Sequence, residues 1–427
     1  MKKEIREEQQ VFSELGVLCT LPGYVHAIAH FCFRDNAIPF SEKMTADDVL
    51  PFYSWDKLVR TEISTLIGLM LKTEIDTILP SPSVIQAYLD RTEDLLEELH
   101  YSMMKPVMEK IDFTKAISEE YNPFFSGGAL REPIFYSGES AYDFQYRDIS
   151  TWKYKKDDQW LIANKGFSIQ HVKVIWDAIK KYQNKKVLIT LEKAVGQNPN
   201  EWTMLPTYTF TLEEIAIEAD IDLSIVSAVI KSFAIPNGEQ NKGFQTLSDF
   251  NVVNAYPIIP LENEYLLYQH YSLSQAFYET PFYWFSESEN YFDIAMKNRG
   301  EFTEEFTAER LKLVFGKNRV FTNVNIIDTS KTIAGEIDVL VSFANRAIIV
   351  QAKSKKLTFA ARKGNDNSIK DDFKKAIQNA YDQGLSCANL INTGNYKLVD
   401  SNGSDIQLPS SLKKYIFFVR FLSIIQP

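Results

Sequence analysis

Cysteine is scarce: three in 427 residues, Cys19, Cys32 and Cys387, too few and too scattered for a disulfide framework or a cysteine-rich zinc site. A reducing compartment, the cytoplasm, is the expected home. Long apolar runs are missing as well. No stretch reaches the ~20 apolar residues of a membrane-spanning helix, and the opening MKKEIREEQQ has no apolar signal core. The chain is expected to be soluble, without a membrane partner. There is no Gly-x-x-x-x-Gly-Lys loop for an ATP-driven motor and no Gly-x-Ser-x-Gly elbow for a serine hydrolase. His26 and His30 have the i, i+4 spacing of a zinc helix, but Ala27 stands where its general base belongs. They read as core or interface histidines, and His100, His171 and His270 stand alone in sequence.

Basic charge is also in deficit, with 46 Lys+Arg against 56 Asp+Glu, net −10, which argues against a protein that coats nucleic acid along its whole surface. The balance is uneven. Residues 296–427 carry 20 Lys+Arg against 13 Asp+Glu, net +7, and residues 1–295 carry 26 against 43, net −17. A basic C-terminal third on an acidic body suggests that one end meets a polyanion. The acidic part is expected to self-associate or to bind a protein partner.

Apolar residues make up 45% and aromatics 13%, enough for real cores, and the length allows two to four domains. A multidomain α+β chain is the expectation. Up to about residue 125 the apolar spacing is helical, as in Val17 to Phe33, Trp55 to Leu71 and Val84 to Met104, with breaks at Pro80, Pro82, Pro106 and Asn122-Pro123. This predicts an N-terminal helical domain, 1–125. From Ser126-Gly127-Gly128 onward, short aromatic runs at Ile134 to Tyr136 and Trp160 to Ala163 precede a helix capped by Ser168. Residues 126–294 read as a mixed α/β regulatory or assembly domain. Within it, residues 209–233 form two helices around a short turn. Thr211 and Glu214 make a capping box, and Ile215, Ala216, Ala219, Ile221, Val226, Val229 and Ile230 form the inward stripe. The pair resembles a helix-turn-helix, with a hairpin possible downstream. A helix that reads base edges needs Arg, Lys, Asn or Gln outward. Leu223 to Phe233 offers only Lys231 and serines, which favours a structural helix pair. The aromatic stretch Phe282 to Phe285 reads as core or a domain contact.

The chemistry concentrates in GEIDVLVSFANRAIIVQAKSKK, residues 335–356. Two β-rich runs flank Ala344-Asn345 and should pair as an antiparallel hairpin. With those two residues as the turn, Phe343 faces Arg346 and Asp338 falls opposite Gln351. Strand alternation then projects Glu336, Asp338, Gln351 and Lys353 from one face and Ile337, Val339, Val350 and Ala352 from the other. Upstream, residues 300–316 read as an amphipathic helix with Phe306, Leu313 and Phe315 inward, so that at least one of Glu304, Glu305 and Glu309 reaches the acidic patch. A strand near Phe321 to Ile327 follows. Downstream come a helix at 371–384 and an apolar strand at 413–423.

An Asp followed one hairpin later by Gln-x-Lys, with a Glu on the preceding helix, resembles the PD-(D/E)XK nuclease fold in the form found in Mrr-like restriction endonucleases and nuclease-related (NERD) domains. The matching residues are Glu305, Asp338, Gln351 and Lys353, over roughly residues 298–425. GEID at 335–338 is similar to the Asp strand of that superfamily, and Gln378 stands where many members keep a polar helix residue. The resemblance implies a C-terminal α/β nuclease domain, 295–427, with a mixed central sheet, and a metal-dependent DNA endonuclease of the prokaryotic restriction or anti-phage type.

Phosphodiester hydrolysis calls for a hard divalent cation, Mg²⁺ or Mn²⁺, held by a few oxygen ligands. Asp338 is the first candidate, with the Gln351 amide oxygen and the Ala352 carbonyl beside it. Neutral Gln351 removes one charge from the usual set, which Glu305 or Glu336 would restore. Lys353 would stabilise transition-state charge or orient the water. The basic residues that follow, Lys355, Lys356, Arg362, Lys363, Lys370, Lys374 and Lys375, suit phosphate binding with little sequence choice. Two other readings stay open: an inactive nuclease fold that binds DNA or protein, and a nuclease acting on RNA. The last apolar strand stops shortly before Gln426-Pro427, which leaves open a continuation or a partner that closes the domain.

Overall fold

The computed structural model describes residues 5–36, 57–109, 131–136, 141–236, 238, 240–353, 366–409 and 414–421. It divides into two compact units, Met1–Trp284 and Phe285–Gln426.

The first unit is mainly helical. Helices α1 (Glu8–Cys19) and α2 (Tyr24–Asn36) are separated at Gly23, whose φ of 72° and whose 2.6 Å clearance between a would-be Cβ and the Ile78 carbonyl require glycine. Helices α3 (Arg60–Met70) and α4 (Pro82–Met108) follow, the latter starting on a proline that suits its first turn. Then come α5 (Arg131–Tyr136), α6 (Asp143–Lys153), α7 (Asp158–Lys165) and α8 (Ile169–Ala194). The Ser168 hydroxyl accepts the His171 N–H at 3.2 Å and starts α8. The aromatic runs at Ile134 to Tyr136 and Trp160 to Ala163 lie on α5 and α7. Only three short strands occur among the described residues of this unit: β1 (Thr209–Phe210), β2 (Ile259–Pro260) and β3 (Tyr265–Leu266), in the order β1-β3-β2.

The expected boundary at 125 lies outside the described residues, but one hydrophobic core joins the segments on both sides of it. Val11, Phe12, Leu66 and Leu95 share that core with Met204, Phe244 and Leu266. Local periodicity is blind to such pairings. His26, between the Thr203 hydroxyl at 2.7 Å and the Thr77 carbonyl at 3.0 Å, is a bonded core histidine.

Between β1 and β2 stand α9 (Leu212–Ala219) and α10 (Leu223–Phe233). Glu214 N–H donates to the Thr211 hydroxyl at 3.2 Å, and Thr211 N–H donates to the Glu214 carboxylate at 2.8 Å, closing the capping box. Asp220, at φ 53°, turns the chain into α10. Val226, Val229, Ile230 and Phe233 of α10 are buried and Lys231 is exposed. Helices α11 (His270–Glu279) and α12 (Pro281–Ser286) lead into the second unit.

The second unit is a six-stranded sheet with helices against it. It opens with α13 (Phe292–Phe315), followed by β4 (Val320–Ile327), β5 (Ile333–Phe343) and β6 (Arg346–Lys353). After α14 (Asp366–Phe373), a π-helical turn at Lys374–Gln378 and α15 (Asn379–Asn392) come β7 (Lys397–Val399), β8 (Asp405–Ile406) and β9 (Lys414–Phe421). The strand order is β8-β7-β4-β5-β6-β9, antiparallel except for β9, which runs parallel to β6. Ala308, Leu311 and Phe315 of α13 pack on Val320, Val339, Val341, Ile348 and Val350. Cys387 and Ala388 of α15 pack on Val324, Ile326, Ile337, Leu340 and Ile349. Each fully buried Val, Ile or Leu here contributes about 1.5–3 kcal/mol by leaving water. Leu313, expected inward, is 76% exposed. The helix phase puts Ala308, Leu311 and Phe315 on the sheet and turns Leu313 and Val314 out.

Candidate active site

The site forms where two strands part. The β5–β6 ladder runs from Phe343↔Arg346 to Val339↔Val350 across the two-residue turn Ala344-Asn345, with Ala344 at φ 52°. Beyond Val339 a side chain takes over from the ladder: Asp338 Oδ2 accepts the Ala352 N–H at 2.7 Å. The next tie also uses a side chain, Gln351 Nε2 donating to the Glu336 carbonyl at 3.0 Å. β6 itself continues to Lys353 because β9 supports its other edge.

Strict alternation fails at this point. On the β4 side, pairing passes from Thr322↔Val339 to Val324↔Ile337 and skips Asn323 and Asp338. Asn323 sits at φ 50°, in the left-handed region. Consequently Ile337 joins the core under α15 and Val339 the core under α13. The sequence reading that put both on one face is corrected by this local break. Asp338 stands at the crossover.

Burial holds the Asp338 carboxyl above the usual carboxylate range, aided by the charge of Glu336 and opposed by the Ala352 N–H and Lys353. Glu304, half-buried on α13, is pushed up to about 7, first by burial and then by Asp338, Glu336 and Glu301, with Lys353 opposing. The helix acid that feels the strand-end charges is therefore Glu304. Glu305, the residue matched by resemblance, is exposed. Glu309 is exposed too and pairs with Lys312 at 2.8 Å, which lowers its carboxyl.

The Glu336 side chain is exposed, while its carbonyl is a junction. Besides Gln351 it accepts Gln383 Nε2 at 3.3 Å and Cys387 Sγ at 3.4 Å. Gln383 Oε1 in turn accepts from Lys353 Nζ at 3.4 Å. Neither α15 residue was singled out from the sequence. Gln378, which was, is exposed and donates to Asp382 at 2.9 Å. The π turn ending at Gln378 sets the phase of the helix beyond it, so Gln383 rather than Gln378 reaches the strand ends.

Gln351 is 1% exposed, and its Oε1 has no hydrogen-bond partner. An orphaned acceptor in a buried site costs about 1–3 kcal/mol, and here it accompanies a carboxylate on the adjoining strand. An amide oxygen, the Asp338 carboxylate and the Ala352 carbonyl are hard donors of the kind Mg²⁺ takes. Among the described residues no group of three or more His, Cys, Asp or Glu side chains is placed to hold a metal ion. A cation would therefore depend on the amide and the backbone.

Lys370, Lys374 and Lys375 are exposed on the helix that includes the π turn, and Lys375 pairs with Asp371 at 2.8 Å. Lys355, Lys356, Arg362 and Lys363 lie outside the described residues. In the first unit, Lys231 is the lone cation of α10, which leaves that helix poor in groups that read base edges.

No curated protein and no solved structure matches the chain. The family model of the nuclease-related domain, NERD, matches residues 299–410, the segment that contains Glu304, Asp338, Gln351, Lys353 and Gln383. Residues 299–410 thus form a nuclease-related domain, consistent with the PD-(D/E)XK-like nucleases.

Proposed function

We propose that the second unit is a metal-dependent endonuclease that hydrolyses phosphodiester bonds in DNA. The observation that carries this is the orphaned Gln351 oxygen, on the strand adjoining that of Asp338 and next in sequence to Ala352, whose N–H the Asp338 carboxylate accepts, within the nuclease-related segment. Asp338, Gln351 and the Ala352 carbonyl would hold Mg²⁺ or Mn²⁺, with Glu336 as a further exposed oxygen. When bound, the cation supplies neutralisation of phosphorane charge and a more acidic water.

The chain's own residues do the rest. Asp338 is oriented by the Ala352 N–H, and Lys353 presents its ammonium to the scissile phosphate and to the charge that develops on it. Glu304, titrating near 7, is poised to take a proton from a water at neutral pH. The basic excess of residues 296–427, net +7, draws the polyanion, with Lys370, Lys374 and Lys375 among its contacts. The acidic first unit serves self-association or a protein partner, and the resemblance to Mrr-like enzymes supports, by analogy, a role in prokaryotic restriction or anti-phage defence.

Incubation with supercoiled plasmid and Mg²⁺ or Mn²⁺ tests this. Nicking should appear with the cation, vanish with chelator and fall about 100-fold in Lys353→Ala. Unchanged cleavage by Lys353→Ala removes the site assignment. The neutrality of Gln351, with no three-ligand acidic group among the described residues, favours a second reading, an inactive fold that binds DNA. That protein would retain DNA with or without cation and leave it intact.

A further inference from the structure

We infer that Gln383 is a positioning residue for Lys353, its amide tying the lysine to the backbone junction at Glu336. The inference rests on the nuclease reading only for what Lys353 does. The placement begins with packing. Ala380, Gly384, Cys387 and Ala388 form the buried face of α15, and such small side chains let the helix axis approach the sheet closely. Gln383, beside Gly384, then reaches the strand ends.

Its two polar atoms are used differently. Nε2 donates to the Glu336 carbonyl at 3.3 Å, and Oε1 accepts from Lys353 Nζ at 3.4 Å. A flipped amide would set a donor against an ammonium and an acceptor against a carbonyl, so the two contacts enforce one orientation. The carbonyl end is firm, because Gln351 Nε2 and Cys387 Sγ converge on it too. The lysine end needs such a tether. A flexible four-carbon stem loses much rotamer freedom when it is held in one geometry, and Lys353 is only half-buried. Gln383 is one hydrogen bond from main chain that two strands and a helix hold in place, and it passes that rigidity to the ammonium.

Acetylation of the full chain by acetic anhydride, read by peptide mass spectrometry with exposed Lys297 and Lys397 as internal standards, reports how freely the Lys353 amine moves. Gln383→Met keeps length and helix propensity and removes both polar ends. It should accelerate Lys353 acetylation about 3- to 10-fold, the loss of one modest hydrogen bond. Gln383→Glu loses the donor to the Glu336 carbonyl but faces the ammonium with a full charge, and that ion pair in place of the tie should keep Lys353 reacting no faster than in the parent chain. Gln378→Met should leave Lys353 unchanged. Should the methionine variant fail to fold, Gln383→Asn, which withdraws the same amide by one methylene, should show the same acceleration. An unchanged Lys353 rate in the folded methionine or asparagine variant overturns the inference, as does acceleration in Gln383→Glu. This readout needs no cleavage, so a chain that cuts nothing still decides it. In a chain that cuts, Gln383→Met should lower kcat with KM unchanged and Gln383→Glu should restore it; a change confined to KM overturns the positioning role.

Discussion

Single residues divide here into those whose identity announces a role and those whose neighbours assign it. Asp338, Gln351 and Lys353 belong to the first kind, because an acid, an amide and a lysine among Ile and Val on one hairpin need a reason to be there. Glu304 and Gln383 belong to the second. Of three glutamates on α13 the resemblance picked out Glu305, and it is the helix phase that separates Glu304 from the exposed Glu305 and Glu309. Cleavage should therefore drop in Glu304→Gln and stay near the parent rate in Glu305→Gln, compared in parallel plasmid assays. The Gln351 oxygen allows a sharper test. Gln351→Met removes the orphaned acceptor along with one hydrogen bond, so these changes nearly offset, and the unfolding free energy should shift by less than about 1 kcal/mol. Calorimetric titration should at the same time lose Mn²⁺ binding.

Elements were legible where one rule governs them. A two-residue turn fixes a hairpin by counting, and the observed pairs from Phe343↔Arg346 to Val339↔Val350 follow that count. The capping box at Thr211 and Glu214 was legible for the same reason, since donor and acceptor sit within one turn. Alternation along β5 was misread because a second strand intervenes: Asn323 on β4 adopts φ 50°, a choice invisible from the β5 sequence. Asn323→Ala should destabilise the second unit by about 1–2 kcal/mol, with Asn323→Gly close to the parent chain, in urea unfolding. The π turn at Lys374–Gln378 misled in the same way, since its extra residue leaves no pattern in the sequence. Leu313 shows the limit of reading apolar residues as inward ones.

At the scale of the whole molecule, the expected start of the C-terminal domain at 295 lies close to the division after Trp284, while the continuity of the first unit, whose core gathers residues from Val11 to Tyr268, was hidden by the change of texture near residue 125. No single helix among the described residues is long and apolar enough to cross a membrane. The two units should respond to acid in opposite directions. His270, buried with its Nε2 on Gln183 at 2.6 Å, is pushed down to about 4, first by burial and then by Lys180. The unfolded chain takes up that proton near 6.5, so stability present at neutral pH is lost as the pH falls through this window. Burial lowers His26 and His30 likewise. Glu304 reverses the sign, because the folded protein holds a proton up to about 7 where the unfolded chain releases it near 4.5. Its unfavourable contribution grows as the pH rises through that window and disappears on acidification, and Asp338 acts in the same sense. Scanning calorimetry without added cation between about pH 7 and about pH 5 should move the transition of the first unit down and that of the second up.

The junction at position 336 is made by a main-chain oxygen. Exchange of its exposed side chain, as in Glu336→Ala, leaves the carbonyl and all three of its donors in place. An anchor of this sort is shielded from substitution at its own position and vulnerable at Gln351, Gln383 and Cys387, so genetic variation would reveal it through its donors and never through the residue that owns it.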